Sequence, residues 1–399
     1  MIELNRRTIL KASAALTAVA ASPRLALAQG EPIRIGILTP LTGAGGADGP
    51  RMLKAMQLVF DEVNKAGGVL GRQIQTFVED DQTNPEAAVR AARKLIEVNK
   101  VTVIMGTWAS AVTAAVAPVC WESKTFILTV SGADSITLLP HQGFLVRTQP
   151  TSKLQATAHA EFIASLGQKR VAVIGIQAPF ALPTKEHLDN VLKTKGGSVV
   201  SHVIYEKDKP TYRSEIDQAM REKPDFLYLN GYAPDTVVIL RDLFRANINL
   251  PKFCQSYAVP QKTLDTMPPE VCEGVMTGQP SADVESSAYR TACQRLGLQE
   301  IDGYEAQATD WASLAVLTMA KAKDTSGVAL KDNIRKISQG TGEKVYTAVD
   351  GLKAISAGKE INYEGASGPC DFTDIGDILG CRFRYMKVSQ GKLEFLKLV

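Results

Sequence analysis

Beyond its first 28 residues the chain has no run of 18 or more apolar residues, so no membrane-spanning helix is expected. It also lacks an excess of one charge. Setting residues 1–28 aside removes Arg6, Arg7, Lys11, Arg24 and Glu3, so the 45 basic and 42 acidic side chains fall to 41 of each. No strong positive field remains, and nucleic acid is not an expected partner. The four histidines, His141, His159, His187 and His202, stand far apart without an H-E-x-x-H spacing. Each reads as a surface or loop residue, and no metal is expected. No C-x-x-C pair occurs, which removes support for zinc ribbons and thioredoxin chemistry. There is no P-loop, and Gly365-Ala366-Ser367-Gly368-Pro369 lacks the last glycine of a nucleophile elbow. The Gly-rich turn Gly43 to Ala47 is followed by Asp48 where a dinucleotide site has its third glycine. An acidic group there repels a pyrophosphate. No cofactor and no enzymatic activity are expected.

The N-terminus itself carries a pattern. Arg6-Arg7 precede a small, mildly apolar stretch from Ala12 to Ala21, and Ala26-Leu27-Ala28 is an A-x-A cleavage site. Residues 1–28 read as an export signal of the twin-arginine type, an address and not an anchor. The general secretory route stays open. No cysteine lies near the cleavage site, which argues against a lipid anchor. Of six cysteines, Cys370 and Cys381 are the best candidates for a disulfide in an oxidising compartment, since Asp374-Ile375-Gly376-Asp377 reads as a hairpin turn between two strands. Cys254 and Cys272 form a weaker candidate pair.

A length of 399 residues suggests two or three domains. Strand and helix patterns alternate: strands at 33–38, 74–78, 101–105, 126–130 and 144–147, helices at 52–64, 85–99 and 111–120. The strands are continuous apolar runs, which predicts a parallel sheet covered by helices on both faces. Thr148-Gln149-Pro150-Thr151 breaks the series. A second one follows, with strands at 170–176, 199–205, 226–230 and 252–255 and helices at 152–166, 184–194, 213–221 and 234–246. Two such series imply two lobes. A helix-rich stretch (286–296, 304–323, 330–338) and a strand pair (369–372 and 381–388) complete the chain.

Ligands of open α/β sheets sit beyond the carboxyl ends of strands. Gly106-Thr107-Trp108-Ala109-Ser110 and Ser131-Gly132-Ala133-Asp134 occupy such places. A helix N-terminus with serine hydroxyls suits a carboxylate, and Ser110 reads equally as a simple helix cap. In the second series Phe180 and Tyr232 stand just past strand ends, as ligand cover or as lobe packing.

The chain resembles periplasmic type I solute-binding proteins of the branched-chain amino-acid (leucine/isoleucine/valine) ABC-transporter family. The likeness rests on Ile35-Gly36-Ile37 with Pro40-Leu41-Thr42-Gly43, on the run Asp61 to Arg72, on Glu79-Asp80-Asp81-Gln82-Thr83-Asn84-Pro85 and on Asn230-Gly231-Tyr232, and it spans Ile33 to about Lys387. It implies two lobes joined by three hinge crossings that close on a ligand. The expected boundaries are 29–148 plus about 281–365 for the first lobe and 149–280 plus about 366–399 for the second. The implied contacts are Ser110 to the ligand carboxylate, further contacts at Ser131 and Ala133, aromatics Phe180 and Tyr232 closing over it, and Asp48 at the cleft mouth. Trp108 belongs to the same candidate set. The implied partners are a membrane permease and its ATPases. Two departures stand out. The family's amino-acid binders place a Thr where this chain has Ala133, and an acidic residue for the ligand ammonium where it has Tyr257. Related proteins take aromatic or other carboxylates, amides or urea, so the ligand expectation runs from a branched-chain or related amino acid to such non-amino-acid solutes. A ligand-sensing receptor subunit is a further alternative.

Overall fold

The computed structural model describes residues 30–399, so the expected export signal lies outside the described residues. The chain opens with β1 (Ile33–Thr39), α1 (Gly49–Lys65), β2 (Ile74–Asp80), α2 (Pro85–Arg93), β3 (Val103–Thr107), α3 (Ser110–Glu122), β4 (Phe126–Thr129) and β5 (Leu145–Arg147). These five strands form one parallel sheet in the order β2-β1-β3-β4-β5. β1, β3, β4 and β5 are buried almost throughout, which explains why they read as unbroken apolar runs.

Local chemistry accounts for the motif segments of this half. Gly68 has φ +78°, and a Cβ there would lie 2.0 Å from the Arg72 carbonyl oxygen, so only glycine fits the turn. Asp80 accepts from the Leu41 N–H at 2.9 Å and from the Thr42 hydroxyl at 2.5 Å, tying the loop after β1 to the end of β2. Asn84 caps α2 by accepting from the Glu86 and Ala87 N–H groups, with Pro85 at the first helical position, where its missing N–H costs nothing.

After residues 148–151 the chain builds α4 (Ser152–Ser165), β6 (Arg170–Ile176), α5 (Thr184–Thr194), β7 (Ser198–Tyr205), α6 (Arg213–Met220), β8 (Phe226–Asn230), α7 (Ala233–Arg245), β9 (Lys252–Gln255) and β10 (Met276–Ser281). It then returns to cover the first sheet with α8 (Ser287–Leu296), α9 (Gly303–Ala322), α10 (Gly327–Ser338) and α11 (Ala348–Ser356), with the small parallel pair β11 (Glu343–Val345) and β12 (Ile361–Tyr363) beside them. β13 (Arg382–Ser389) and β14 (Lys392–Leu398) finish the second sheet, ordered β14-β13-β10-β9-β8-β6-β7, antiparallel only at β10-β13-β14. The result is a two-lobed α/β fold with three crossings, as expected. Among the described residues no helix is long and apolar enough to cross a membrane.

Several expectations change. The last crossing falls near Gly380, not at 366. Residues 366–378 pack on the first lobe: the Ala366 and Ser367 N–H groups donate to Asp310 of α9, and Arg147 pairs with Asp377 at 2.6 Å. Residues 369–372 are not a strand beside 381–388, because Phe372 makes only an isolated bridge to Ile378. That short turn leaves Cys370 and Cys381 apart. Cys370 is buried against Asp310 (3.6 Å), whereas Cys381 starts the second lobe's return, and both are free thiols, as are Cys254 and Cys272. Strands β10, β11, β12 and β14 and helix α11 have no counterpart among the elements expected from the sequence.

Histidine placement also differs. His159 is fully buried on the inner face of α4 among Tyr228, Phe253, Phe383 and Tyr385, and its Nδ1 lies 2.9 Å from the Tyr228 hydroxyl. Burial lowers its pKa to about 3, so the ring is neutral. His141 is buried as well.

Candidate ligand cleft

The cleft lies where the carboxyl ends of both parallel sheets face each other. From the first lobe come Trp108, Ser110, Val130, Gly132 and Tyr304. From the second lobe and the first crossing come Gln149, Ser152, Gln155, Phe180, Thr184, Tyr228, Asn230, Tyr232, Gln255 and Tyr257. The lobes are closed on one another. Trp108 stacks across the gap on Tyr232 (ring centroids 5.1 Å) and edges against Tyr257 (5.5 Å), while Phe180 leans on Tyr232 (5.3 Å). The space left between them is about 40 Å³.

Ser110 opens α3 and faces this space. The residue before it, Ala109, offers no side-chain cap, so the first-turn N–H groups of α3 have no local side-chain acceptor. An uncapped helix start combines free donors with the positive end of the dipole, the arrangement that holds an anion. In the closed cleft the Ser110 hydroxyl accepts from the Ala133 N–H at 3.2 Å.

The sequence-expected residues divide. Trp108, Ser110, Phe180, Tyr232 and Tyr257 line the cavity; Ser131, Ala133 and Asp48 do not. The Ser131 hydroxyl turns inward, to the Trp108 carbonyl (2.9 Å) and the Thr113 hydroxyl (2.5 Å). Arg147, fully buried, donates to the Ser131 and Ala133 carbonyls at 3.1 and 2.6 Å. These bonds fix the shape of the loop from behind. Asp48 sits in a neighbouring, more open cavity of about 560 Å³ together with Arg51, Asp302 and Glu305. Arg51 pairs with Asp48 (2.6 Å) and with Asp302 (2.5 Å). Burial, helped by Asp302 and opposed by Arg51, raises the Asp48 pKa to about 6. Asp48 is thus already committed to Arg51 and stands outside the closed pocket.

Sequence reasoning missed Gln149, Ser152, Gln155, Thr184, Tyr228, Gln255 and Tyr304, and left Asn230 out of its candidate set. Gln149, Asn230 and Gln255 each had a signal, a polar residue at a strand end or at the break between the two series. Tyr304 had none, because it arrives on α9 from a distant part of the chain. Asn230 donates to the Thr184 hydroxyl at 2.6 Å, but its buried Oδ1 has no partner, and neither has the buried Nε1 of Trp108. Gly231 is required beside it: a Cβ there would lie 1.8 Å from the Tyr205 hydroxyl. No Asp, Glu, Lys or Arg lines the cavity. Among the described residues no cluster of three or more His, Cys, Asp or Glu is arranged for a metal.

Comparison with known proteins agrees with this geometry. The family profile described as periplasmic binding protein matches residues 32–383, and the twin-arginine translocation pathway signal profile matches residues 3–23. A curated relative, the Leu/Ile/Val-binding protein BraC3 of Rhizobium johnstonii, is 28% identical over 53% of this chain, and the match spans 58% of that relative's length. The crystal structure of a leucine-binding protein, LivK, from Thermotoga maritima superposes with a TM-score of 0.77 at 22% identity, covering 92% of this chain and 98% of that one. A solute-binding protein of an ABC transporter from R. palustris, solved with benzoate, superposes with a TM-score of 0.74 at 17% identity over 92% of this chain and 96% of that one.

Proposed function

Because the chain belongs to the periplasmic binding protein family and carries a twin-arginine export signal, it is an exported solute-binding component of an ABC transporter, and we propose that its solute is a small carboxylate without an ammonium group, an aromatic acid in the first instance. The observation that carries this reading is the lining of the closed pocket, which holds no charged side chain but six aromatic rings, four side-chain amides and the uncapped start of α3. A buried ammonium without an anionic partner costs several kcal/mol, at least about 2. A carboxylate needs only donors, which the α3 N–H groups, the Ser110 hydroxyl and the Trp108 Nε1 supply. The rings of Trp108, Phe180, Tyr232 and Tyr257 suit a flat apolar body. The unpartnered Asn230 Oδ1 accepts from a ring hydroxyl or an amide of the solute.

The relative named for Leu/Ile/Val favours a second reading, an aliphatic amino acid whose ammonium rests on the Asn230 Oδ1 and on tyrosine faces. The lobes close over either solute, and the closed form is the one handed to the permease and its ATPases. We place the lobe boundaries at 30–147, 282–378 and the complementary segments.

A thermal-shift panel of benzoate, 4-hydroxybenzoate, leucine, short amides and urea tests the proposal, since a solute that binds only the folded state raises the melting temperature. A shift with the benzoates and none with leucine is the expected result. A shift with leucine alone overturns the proposal in favour of the amino-acid reading.

A further inference from the structure

Two charged side-chain pairs join the lobes without lining the closed pocket: Arg384 with Glu300 (3.0 Å), close to the second and third crossings, and Asp134 with His187. Asp134 follows the loop of Gly132 and Ala133 on the first lobe. His187 lies in the first turn of α5 on the second, three residues after the pocket residue Thr184. Their side chains meet at 2.8 Å, His187 Nε2 to Asp134 Oδ2, with exposures of 13% and 30%. A carboxylate only accepts, so Nε2 carries the hydrogen. The other oxygen of Asp134 accepts from the Lys153 N–H at the start of α4 (3.0 Å), next to the first crossing. The two partners of Asp134 therefore sit at different distances from the first crossing. The Lys153 N–H belongs to the start of α4 beside the first crossing, whereas His187 belongs to α5, further out on the second lobe. Near Asp48 and Arg51 a cavity of about 560 Å³ remains between the lobes, lined in part by the Arg384–Glu300 pair.

We propose that Asp134 and His187 form a latch, a positioning pair that holds the cleft shut on one rim and slows solute escape without touching the solute. This rests on the reading of the protein as a binder that works by closure. It does not rest on which solute is bound. The pair is partly shielded from water and its partners sit on bodies that separate, so its strength is spent on the closed state alone.

The test uses single-molecule energy transfer on the ligand-free protein, with dyes on Glu97→Cys and Lys193→Cys, both exposed and one on each lobe, in a Cys381→Ser background. The remaining native cysteines are buried. Asp134→Asn keeps an acceptor for the Lys153 N–H, and His187→Ala removes the donor. Each variant lowers the ratio of closed to open molecules about fivefold, the size of a part-exposed hydrogen-bonded pair. The double variant falls no further than either single one, since the two residues act as one interaction. An unchanged ratio in both single variants, or a double variant equal to the product of the two, overturns the latch. With benzoate as probe, the dissociation rate rises by a similar factor and the association rate is unchanged. Failure of benzoate to bind any form refutes the aromatic-acid reading and leaves the ligand-free result standing.

Discussion

The two walls of the cleft are made of different materials. The first-lobe wall is backbone and small polar groups: the start of α3, Ser110 and Gly132, with Trp108 and Tyr304 beside them. Behind it stand fixed supports, the Thr107, Thr113, Thr129 and Ser131 hydroxyl network and the buried Arg147 clamp on two loop carbonyls. The second-lobe wall is rings and amides at the ends of β6, β8 and β9: Phe180, Tyr228, Asn230, Tyr232, Gln255 and Tyr257. Reading a charge needs donors held within a few tenths of an ångström, so the polar wall is braced from behind. Covering a solute needs apolar area that arrives as a body, which a lobe bearing rings provides by rotation.

The comparison can be broken most forcefully at Trp108, the one ring that the braced wall sends across to the other. Trp108→Ala is expected to cost about 3–5 kcal/mol of unfolding free energy, the range for emptying a buried tryptophan site, and to abolish solute binding. Denaturant titration without solute reads the first effect. Unchanged stability with lost binding would move Trp108 into the covering set.

A second prediction sharpens the contrast within the first lobe, between two buried carboxylates. Asp310 is satisfied by the Tyr363 hydroxyl, the Ala366 N–H and both Ser367 donors. Asp81 accepts from the Thr83 N–H through one oxygen, while the other is buried without a partner. Burial raises the Asp81 pKa from 3.8 to about 7. The folded state therefore binds a proton more tightly than the unfolded chain between these values, and stability falls as pH rises from about 4 to about 7. Asp81→Asn removes that loss and stabilises the protein at pH 8 by about 2–4 kcal/mol, as melting curves across pH will read. An equal pH slope in wild type and variant refutes the assignment.

Ser110→Ala tests the polar wall directly. It should weaken carboxylate binding by about 1–3 kcal/mol, measured by calorimetry, and leave unfolding nearly unchanged. Tyr232→Phe tests the covering wall and is the smallest effect. The ring does the covering and its hydroxyl makes no hydrogen bond among the described residues, so affinity should stay within about 0.5 kcal/mol of wild type. A large loss there would make the second wall a polar reader too.

Much of the architecture was legible because it repeats locally. The strands 170–176, 226–230 and 252–255 and the helix 184–194 were read from the sequence at the same bounds the structure gives them, since apolar runs and helical spacing are short-range patterns. Trp108, Ser110, Phe180 and Tyr232 were legible as strand-end residues, and Tyr257 only through the family resemblance. Ser131 was misjudged because its neighbours in sequence do not reveal that Thr113 and the Trp108 carbonyl already take its hydroxyl. His159 was misjudged because a lone histidine on a helix does not announce the aromatic nest built from β8, β9 and β13 around it.

By itself the sequence determined the family, the two alternating series, the neutral charge of the chain after residue 28 and the absence of catalytic and metal motifs. Each of these is written in composition or in spacings of a few residues. Only the tertiary structure decided which polar groups face the cavity, that Asp48 answers to Arg51 and not to the pocket, that residues 366–378 stay with the first lobe, and that Asp134 meets His187. Those outcomes depend on atoms brought together from 3 to more than 250 positions apart, as Arg51 and Asp302 are, and no local pattern carries the geometry of such a meeting.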